Sequence, residues 1–150
     1  MTDGGRVYRM QVRVRYAETD RMGFLHHSRY FVILEMARTE ALREHGLTYR
    51  ELEDAGCFLV VVRAQCRYCA PARYDDILTV ETRIVRLTHT RVDHVYQIFR
   101  GDSRELLAEA STTLASVDRD GNIQAMPEVL SDKLRQGVQP EPESTGGGET

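Results

Sequence analysis

Residues 28–45, SRYFVILEMARTEALREH, have the pattern of a helix that is enclosed by the rest of the protein. Apolar side chains cover more than one stripe of this helix, and in its first half they lie nearly all round. A helix of this kind is normally buried rather than resting on a surface. The hydroxyl of Ser28 is placed to cap the first turn, and Gly46 suits the left-handed position that follows a helix end.

The segments on both sides of this helix predict strands and two shorter helices. From Met10 to Tyr16 apolar and polar residues alternate, which is typical of a strand with one buried face. Thr48 and Glu51 form a capping box, which predicts a short helix that runs to about Ala55. The other predicted elements are strands at 57–70, 76–88, 91–100 and 105–118, followed by a short helix after Pro127 to about residue 135.

Strands that follow one another along a chain favour an antiparallel sheet, so the sequence predicts an α+β domain in which one long helix packs against a sheet. One helix cannot cover everything that a five-stranded sheet exposes, and we therefore expect an edge strand to pair with a second copy. The domain is predicted to span residues 1–136. Residues 137–150, GVQPEPESTGGGET, are rich in Pro, Gly and Glu and are predicted to be a disordered tail.

The composition excludes several classes of function. The 150 residues carry a net charge of −3, so nucleic acid is not an expected partner. No apolar run approaches the roughly 20 residues that cross a bilayer, so no membrane span is expected. The first residues, MTDGGRVYRMQVRV, lack the apolar core of a secretory signal. Together with only three cysteines, this predicts reduced thiols and a cytoplasmic location.

Asp20 is the strongest candidate for chemistry. It lies in a polar segment between the end of the first predicted strand and the N-terminus of the long helix. The unpaired amides of a helix N-terminus can hold a developing oxyanion while the carboxylate attacks a carbonyl or activates water. The residues alone leave open that Asp20 only caps a turn. Glu18 is a second carboxylate nearby, and a solvent-facing position is the simpler interpretation of it.

The sequence does not predict a metal site. Cys66 and Cys69 form a lone CxxC pair, and residues three apart on a strand point to opposite faces of the sheet. His26 and His27 are adjacent and have no second pair of ligands.

The segment from Tyr16 to Tyr30, YAETDRMGFLHHSRY, resembles the signature of the 4-hydroxybenzoyl-CoA thioesterase family of hotdog-fold proteins. It is most similar to the branch of acyl-CoA thioesterases found in Tol-Pal gene clusters. Residues 68–78, YCAPARYDDIL, are similar to the second motif of that branch, and residues 37–40, ARTE, also fit. The resemblance covers residues 8–135 and leaves the tail unmatched.

This resemblance implies a hotdog fold, in which a long antiparallel sheet wraps around the helix at 28–45. It implies a homodimer with a continuous sheet, often paired into a homotetramer, and an active site at the dimer interface without metal or redox cofactor. The catalytic carboxylate of the family falls on Asp20. The amide that polarises the thioester carbonyl falls on the backbone of His27, whose ring is also placed to assist. Tyr16 falls on an aromatic position of the branch, which makes it the third expected catalytic residue.

The expected substrate-binding residues form two groups. Gly23, Phe24 and Leu25 follow Asp20 and are placed to line an acyl pocket. Arg86 and Arg91 stand where the 4-hydroxybenzoyl-CoA enzymes carry a basic cluster for the nucleotide phosphates, although the run RLTHTR differs from that cluster. The residues alone leave open that these arginines are a solvated strand end.

The resemblance thus implies an acyl-CoA thioesterase that acts on a small to medium or aromatic acyl-CoA. Asp20 would attack the thioester carbonyl or deprotonate a water molecule. The leaving thiolate, with a pKa near ~8.5, needs little acid assistance. Alternatives are a thioesterase that acts on acyl carrier protein in polyketide or lipid synthesis, and a non-catalytic acyl-CoA-binding module. A hydratase or dehydratase on the same fold is less well supported, because the expected His and carboxylate motif is missing.

Overall fold

The computed structural model describes residues 6–140 and 142. The described part contains five strands and three helices, in the predicted order. Their bounds are β1 Tyr8–Arg13, α1 Arg29–Glu44, α2 Tyr49–Asp54, β2 Phe58–Tyr68, β3 Ile77–Leu87, β4 Arg91–Arg100, β5 Leu106–Val117 and α3 Glu128–Arg135.

The strands form a single antiparallel sheet in the order β1-β3-β4-β5-β2, which leaves β1 and β2 at the two edges. The pairing register shifts at residues 61–63 of β2, 84–86 of β3 and 98–99 of β4. Such bulges bend and twist a strand, which lets the sheet curve around α1. The predicted α+β architecture with a sheet around one helix is confirmed.

One face of α1 forms the centre of the core. Tyr30, Ile33, Leu34 and Ala37 are each less than 5% exposed, and they pack on the side chains of the sheet that share their face. Beyond this first cluster, Leu42 joins a second cluster with apolar residues of α2, α3 and the far ends of the strands. Together the two clusters bury one face of α1.

The outer face of α1 departs from the prediction. Phe31, Val32 and Met36 are 38%, 45% and 43% exposed. The prediction that the first half of the helix is buried all round is therefore wrong for the single chain, because the sheet covers one side only.

Two local predictions at helix ends have opposite outcomes. Ser28 occupies the N-cap position of α1 but does not make the predicted capping bond: its hydroxyl bonds to Nδ1 of His26 at 2.9 Å instead of a first-turn amide. The capping box is confirmed at α2, where the Glu51 N–H donates to the Thr48 hydroxyl at 3.1 Å and the Thr48 N–H donates to Glu51 Oε1 at 3.0 Å.

The first strand ends earlier than the alternation predicts. Its ladder with β3 stops at Arg13, and Tyr16 begins a single 3-10 turn that spans Tyr16–Glu18. Tyr16 is consequently 78% exposed rather than on the inward face.

The C-terminal segment remains attached to the sheet beyond α3. Val138 forms a parallel bridge with Ile84, and the Gln139 N–H donates to the Ile84 carbonyl at 2.8 Å. Most of the predicted tail lies outside the described residues, so its disorder stays a prediction. Among the helices that the structure describes, none is long and apolar enough to cross a membrane.

Candidate active site

Asp20 lies at the base of a tight turn just before α1. Its N–H donates to the Phe24 carbonyl at 2.8 Å, and the Gly23 N–H donates to the Asp20 carbonyl at 3.0 Å. Thr19 and Leu25 form an antiparallel bridge at the mouth of the turn. Gly23 has a φ of +81°, a left-handed conformation that glycine adopts without steric cost. Gly23 thus serves the turn through its backbone.

The turn also orients the Asp20 carboxylate. Oδ1 accepts the N–H of Met22 at 2.8 Å and the N–H of Phe24 at 3.1 Å. Within residues 6–140 and 142 the structure shows no hydrogen bond to the other oxygen, Oδ2. One oxygen is therefore anchored while the other, on an exposed side chain, is available to a substrate or a water molecule.

The start of α1 presents one unused amide beside this carboxylate. The Ser28 N–H donates to Nδ1 of His26 at 3.2 Å, and the Arg29 N–H donates to the His26 carbonyl at 2.9 Å. For the His27 N–H, no acceptor is shown in the described part of the chain. Because it lies at a helix N-terminus, this amide can polarise a carbonyl and stabilise negative charge. The His27 ring is exposed and stacks on His26, with centroids 4.2 Å apart.

Tyr68, at the end of β2, fixes the His27 peptide from the other side. Its hydroxyl donates to the His27 carbonyl at 3.0 Å, and its ring meets the edge of Tyr30 with centroids 4.9 Å apart. Burial, together with the neighbouring Cys66, raises the pKa of Tyr68 above its ordinary value, so the hydroxyl remains a donor. Tyr68 is not among the site residues predicted from the sequence. The feature of the sequence that could have indicated it is its position in the second motif, YCAPARYDDIL.

These groups line one open cleft of about 350 Å³. Asp20 and His27 stand on one side and the end of β2 on the other. The full lining is Asp20, Phe24, Leu25, His27, Tyr30, Tyr68, Cys69, Ala70 and Pro71. Apolar and aromatic walls with a few convergent polar groups are typical of a small-molecule site.

A second loop holds the Asp20 turn in place. The Leu25 N–H donates to the Ala72 carbonyl at 2.8 Å, and the Tyr74 N–H donates to the Gly23 carbonyl at 3.0 Å. Arg100 of β4 supports this second loop, since its guanidinium donates to the Pro71 carbonyl at 2.8 Å and pairs with Asp76. The two sequence motifs of the resemblance are thus bound to each other by backbone hydrogen bonds.

The predicted site residues are only partly brought together. Asp20, His27, Phe24 and Leu25 line the cleft. The ring of Tyr16 does not; it packs edge-on against Tyr74, with centroids 5.8 Å apart, on the outside of the turn.

The predicted arginines lie elsewhere on the chain. Arg86 and Arg91 line a separate groove of about 640 Å³ together with Arg63, Asp93 and neighbours on β2, β3 and β5. This groove meets the middle of β2, whereas the Asp20 cleft meets its C-terminal end. Within one chain, the two arginines and Asp20 therefore do not share a site.

Glu18 is turned away from Asp20. Its carboxylate accepts the Arg15 N–H at 2.8 Å and pairs with the Arg15 guanidinium at 3.2 Å. Burial acts to raise the pKa of Glu18, but the amide and the charge of Arg15 outweigh it and hold the pKa below its usual range. Within the described ranges, 6–140 and 142, no group of three or more His, Cys, Asp or Glu side chains could hold a metal ion.

The arrangement is suited to acyl transfer. A carboxylate oxygen and a helix-start amide face one cleft, so a carbonyl that meets the amide is also open to attack by the carboxylate or by a water molecule next to it. This geometry uses only side chains and backbone.

Comparisons with known proteins place the chain in a family. The family described as "Thioesterase-like superfamily" matches residues 14–134. The acyl-CoA thioester hydrolase YbgC of Escherichia coli O6:H1 is 35% identical over 75% of this chain and 83% of its own length. The acyl-CoA thioesterase YbgC of Haemophilus influenzae is 34% identical over 79% of this chain and 85% of its own.

A solved structure gives the same result for the fold. The hypothetical protein TT1821 from Thermus thermophilus is 35% identical, with a TM-score of 0.80 over 86% of this chain and 95% of its own. The predicted hotdog fold and the predicted class of enzyme, a thioester hydrolase, are confirmed. This chain belongs to the thioesterase-like superfamily, as the two motifs around Asp20 and Tyr68 indicated.

Proposed function

We propose that the protein hydrolyses the thioester bond of an acyl-CoA with a small to medium or aromatic acyl group, and that Asp20 is its catalytic carboxylate. The observation that carries this proposal is that one cleft contains both an Asp20 oxygen and a His27 amide that have no hydrogen-bond partner among the described residues. The names of the YbgC relatives support acyl-CoA as the substrate. The aromatic and apolar walls of the cleft support the acyl class.

In the proposed reaction the thioester carbonyl oxygen accepts the His27 N–H at the start of α1. Oδ2 of Asp20 then either attacks the carbonyl carbon, which gives a mixed anhydride that water hydrolyses, or takes a proton from a water molecule that attacks. In both routes the C–S bond breaks and CoA leaves as a thiolate. A developing oxyanion gains more from the helix-start amide than a neutral carbonyl does, so this contact favours the transition state.

The direct test is hydrolysis of a panel of short, medium, long and aromatic acyl-CoAs, with free CoA measured by a thiol reagent. We expect turnover by the wild type and its loss in Asp20→Asn, because the amide side chain keeps an acceptor for the turn but is neither a nucleophile nor a base. If no member of the panel is cleaved by the wild type, acyl carrier protein thioesters become the next substrates to measure.

We further propose that the active enzyme is a homodimer that pairs β2 with β2 of a second copy. β2 is an edge strand, and Val60, Val61 and Val62 are 40%, 49% and 49% exposed on it. An exposed apolar edge of this length is a template for strand pairing. Antiparallel pairing centred on the middle of β2 places the Asp20 cleft of one copy beside the N-terminal end of the other copy's β2.

This dimer gives the groove at Arg86 and Arg91 a role. The groove meets the middle of β2 through Val62 and Arg63, so it lies near the proposed symmetry axis and within reach of both clefts. Its positive charge suits the phosphates of CoA and equally an acidic carrier protein.

The charge of the groove can be tested by the double substitution Arg86→Glu and Arg91→Glu. We expect KM for acyl-CoA to rise about tenfold at an unchanged kcat, the result of losing one or two charge-assisted contacts. Arg50→Glu, an exposed arginine on α2, is the control. If KM rises only with carrier-protein thioesters, the groove binds a carrier protein rather than CoA. If KM is unchanged for both substrates, the groove does not take part in substrate binding.

A further inference from the structure

A small cavity lies between the second half of α1 and the sheet, well away from the Asp20 cleft. Its free volume is about 10 Å³, room for one particle of roughly the size of a water molecule. Its polar lining comes from Arg38, His45, Tyr49 and His94, and the rest is aliphatic. Nothing in the proposed thioesterase reaction uses these residues.

Arg38 brings a buried positive charge to this cavity. The residue is 9% exposed, and its guanidinium makes a long contact of 3.5 Å with the Tyr96 hydroxyl. Burial acts to lower the pKa of Arg38, but interactions with Tyr96 and Tyr49 outweigh it, so the side chain stays charged. Within residues 6–140 and 142, no carboxylate forms an ion pair with it. A buried charge without a counterion is costly, so an arginine in this position calls for an anionic partner.

His94 also lines this cavity, and one nitrogen of its ring is buried. It is 6% exposed, and among residues 6–140 and 142 its Nδ1 has no hydrogen-bond partner. Burial, and then the charges of Arg38 and His45, lower the pKa of His94 to about 3, so the ring is neutral near pH 7. A neutral imidazole that carries its proton on Nδ1 is a hydrogen-bond donor toward the cavity.

The groups around the cavity are cationic or neutral donors. Burial, and then the charges of Arg6 and Lys133, lower the pKa of His45. The Tyr49 hydroxyl acts on Arg38 and is a third donor. Two carboxylates lie near the tyrosines of this cluster. Burial raises the pKa of Tyr49 and of Tyr8, and the charge of Glu35 contributes to the raised pKa of Tyr49 as the charge of Glu44 does to that of Tyr8. Neither carboxylate forms an ion pair with Arg38.

We infer that this cavity binds one small monovalent anion of the size of chloride, held by the Arg38 guanidinium, the Tyr49 hydroxyl and Nδ1–H of His94. Chloride is larger than a water molecule, and it accepts hydrogen bonds from several donors at once. A chloride ion neutralises the charge of Arg38 and also accepts a hydrogen bond from the unpaired imidazole nitrogen. A water molecule could accept that hydrogen bond but could not neutralise the charge. The ion would join α1, α2 and β4 between the two core clusters and so stabilise the fold.

The direct test is a crystal structure of the wild-type protein grown in sodium bromide, with anomalous diffraction data. We expect a bromide peak within hydrogen-bond distance of Arg38 and His94. A water molecule there, a carboxylate of a second copy, or an empty cavity would overturn the inference. This outcome does not depend on whether the protein cleaves any thioester.

A solution test uses thermal unfolding at constant ionic strength, with chloride replacing gluconate, which is too large to enter. Ligand linkage predicts a rise in Tm of about 3–6 °C for a tenfold excess of chloride over its Kd. Arg38→Met should abolish this dependence, while Arg50→Met, on the exposed side of α2, should keep it. If Arg38→Met does not fold, His94→Phe replaces it, with the same expectation. A Tm of the wild type that is independent of chloride would contradict the proposed site.

Discussion

At the scale of single residues, the site depends on a few directed hydrogen bonds. The sequence could indicate Asp20, because an acidic residue before a buried helix lies where helix-start amides are unpaired. It could not indicate Tyr68, which is 41 residues away from His27 and reaches its carbonyl only when β2 lies beside the start of α1. Contacts of that kind depend on the tertiary fold, so a motif identifies the segment but not the bond.

Removing the Tyr68 hydroxyl tests this contact. Tyr68→Phe keeps the ring against Tyr30 but releases the His27 peptide, whose N–H is proposed to polarise the substrate. We expect kcat to fall about 3–10-fold, the equivalent of one hydrogen bond, with little change in KM. Tyr74→Phe, an exposed tyrosine next to the site, should leave both constants unchanged. Equal kcat and KM values for the two variants would show that the Tyr68 hydroxyl does not orient the His27 peptide.

At the scale of elements, the turn that carries Asp20 occurs twice in the chain. In DRMGF, residues 20–24, the aspartate carboxylate accepts the amides two and four residues later, and the glycine has a φ of +81°. In DRDGN, residues 118–122, Asp118 accepts the amides of Asp120 and Asn122 at 2.9 Å, and Gly121 has a φ of +86°. Asp20 therefore does cap a turn, as the alternative interpretation of the sequence proposed. What distinguishes Asp20 is its position at the cleft.

This repetition provides an internal control. An added Cβ meets nothing within 4 Å at Gly23 or at Gly121, so an alanine at either position suffers mainly from its left-handed backbone. Gly23→Ala and Gly121→Ala should each destabilise the fold by about 1 kcal/mol in urea unfolding. Only Gly23→Ala should also lower kcat, because it moves Asp20 relative to His27. Comparable activity of the two variants would show that the geometry of the first turn is not needed for turnover.

The elements themselves could be predicted well, because periodicity and capping act locally. Strand periodicity of two and the Thr48–Glu51 box need only neighbouring residues. The failures have tertiary causes. The Ser28 hydroxyl bonds to His26 instead of capping the helix. The alternation of apolar and polar residues continues to Tyr16, but it does not show that the ladder with β3 stops at Arg13.

At the scale of the whole molecule, two apolar surfaces are exposed in the part of the single chain that the structure describes. They are the valines at the edge of β2 and the face of α1 formed by Phe31, Val32 and Met36. The sequence predicted that the first half of α1 is buried all round, but residues 6–140 and 142 of the single chain bury only one of its faces. The proposed dimer explains the exposed edge of β2, since hydrophobic edge strands pair or aggregate.

A charge at this edge tests the dimer. Val61→Lys adds a charge to β2, and we expect sedimentation to shift from dimer to monomer. The proposed position of each cleft beside the other copy's β2 predicts that thioesterase activity falls with it. Val129→Lys, at an exposed valine of α3, is the matched control and should stay dimeric and active. A wild type that sediments as a monomer, or a monomeric Val61→Lys with full activity, would contradict the interface.

Asp20 is proposed to perform the chemistry and not only to shape its turn. The measurement is kcat/KM of Asp20→Asn and Asp118→Asn on the acyl-CoA that the wild type hydrolyses best, with Tm values as a check of folding. Both substitutions alter the same turn motif by the same atoms. We expect a loss of roughly 10²–10⁴-fold for Asp20→Asn and no more than a twofold change for Asp118→Asn. Activity of a folded Asp20→Asn within threefold of the wild type would show that the Asp20 carboxylate is not the catalytic group.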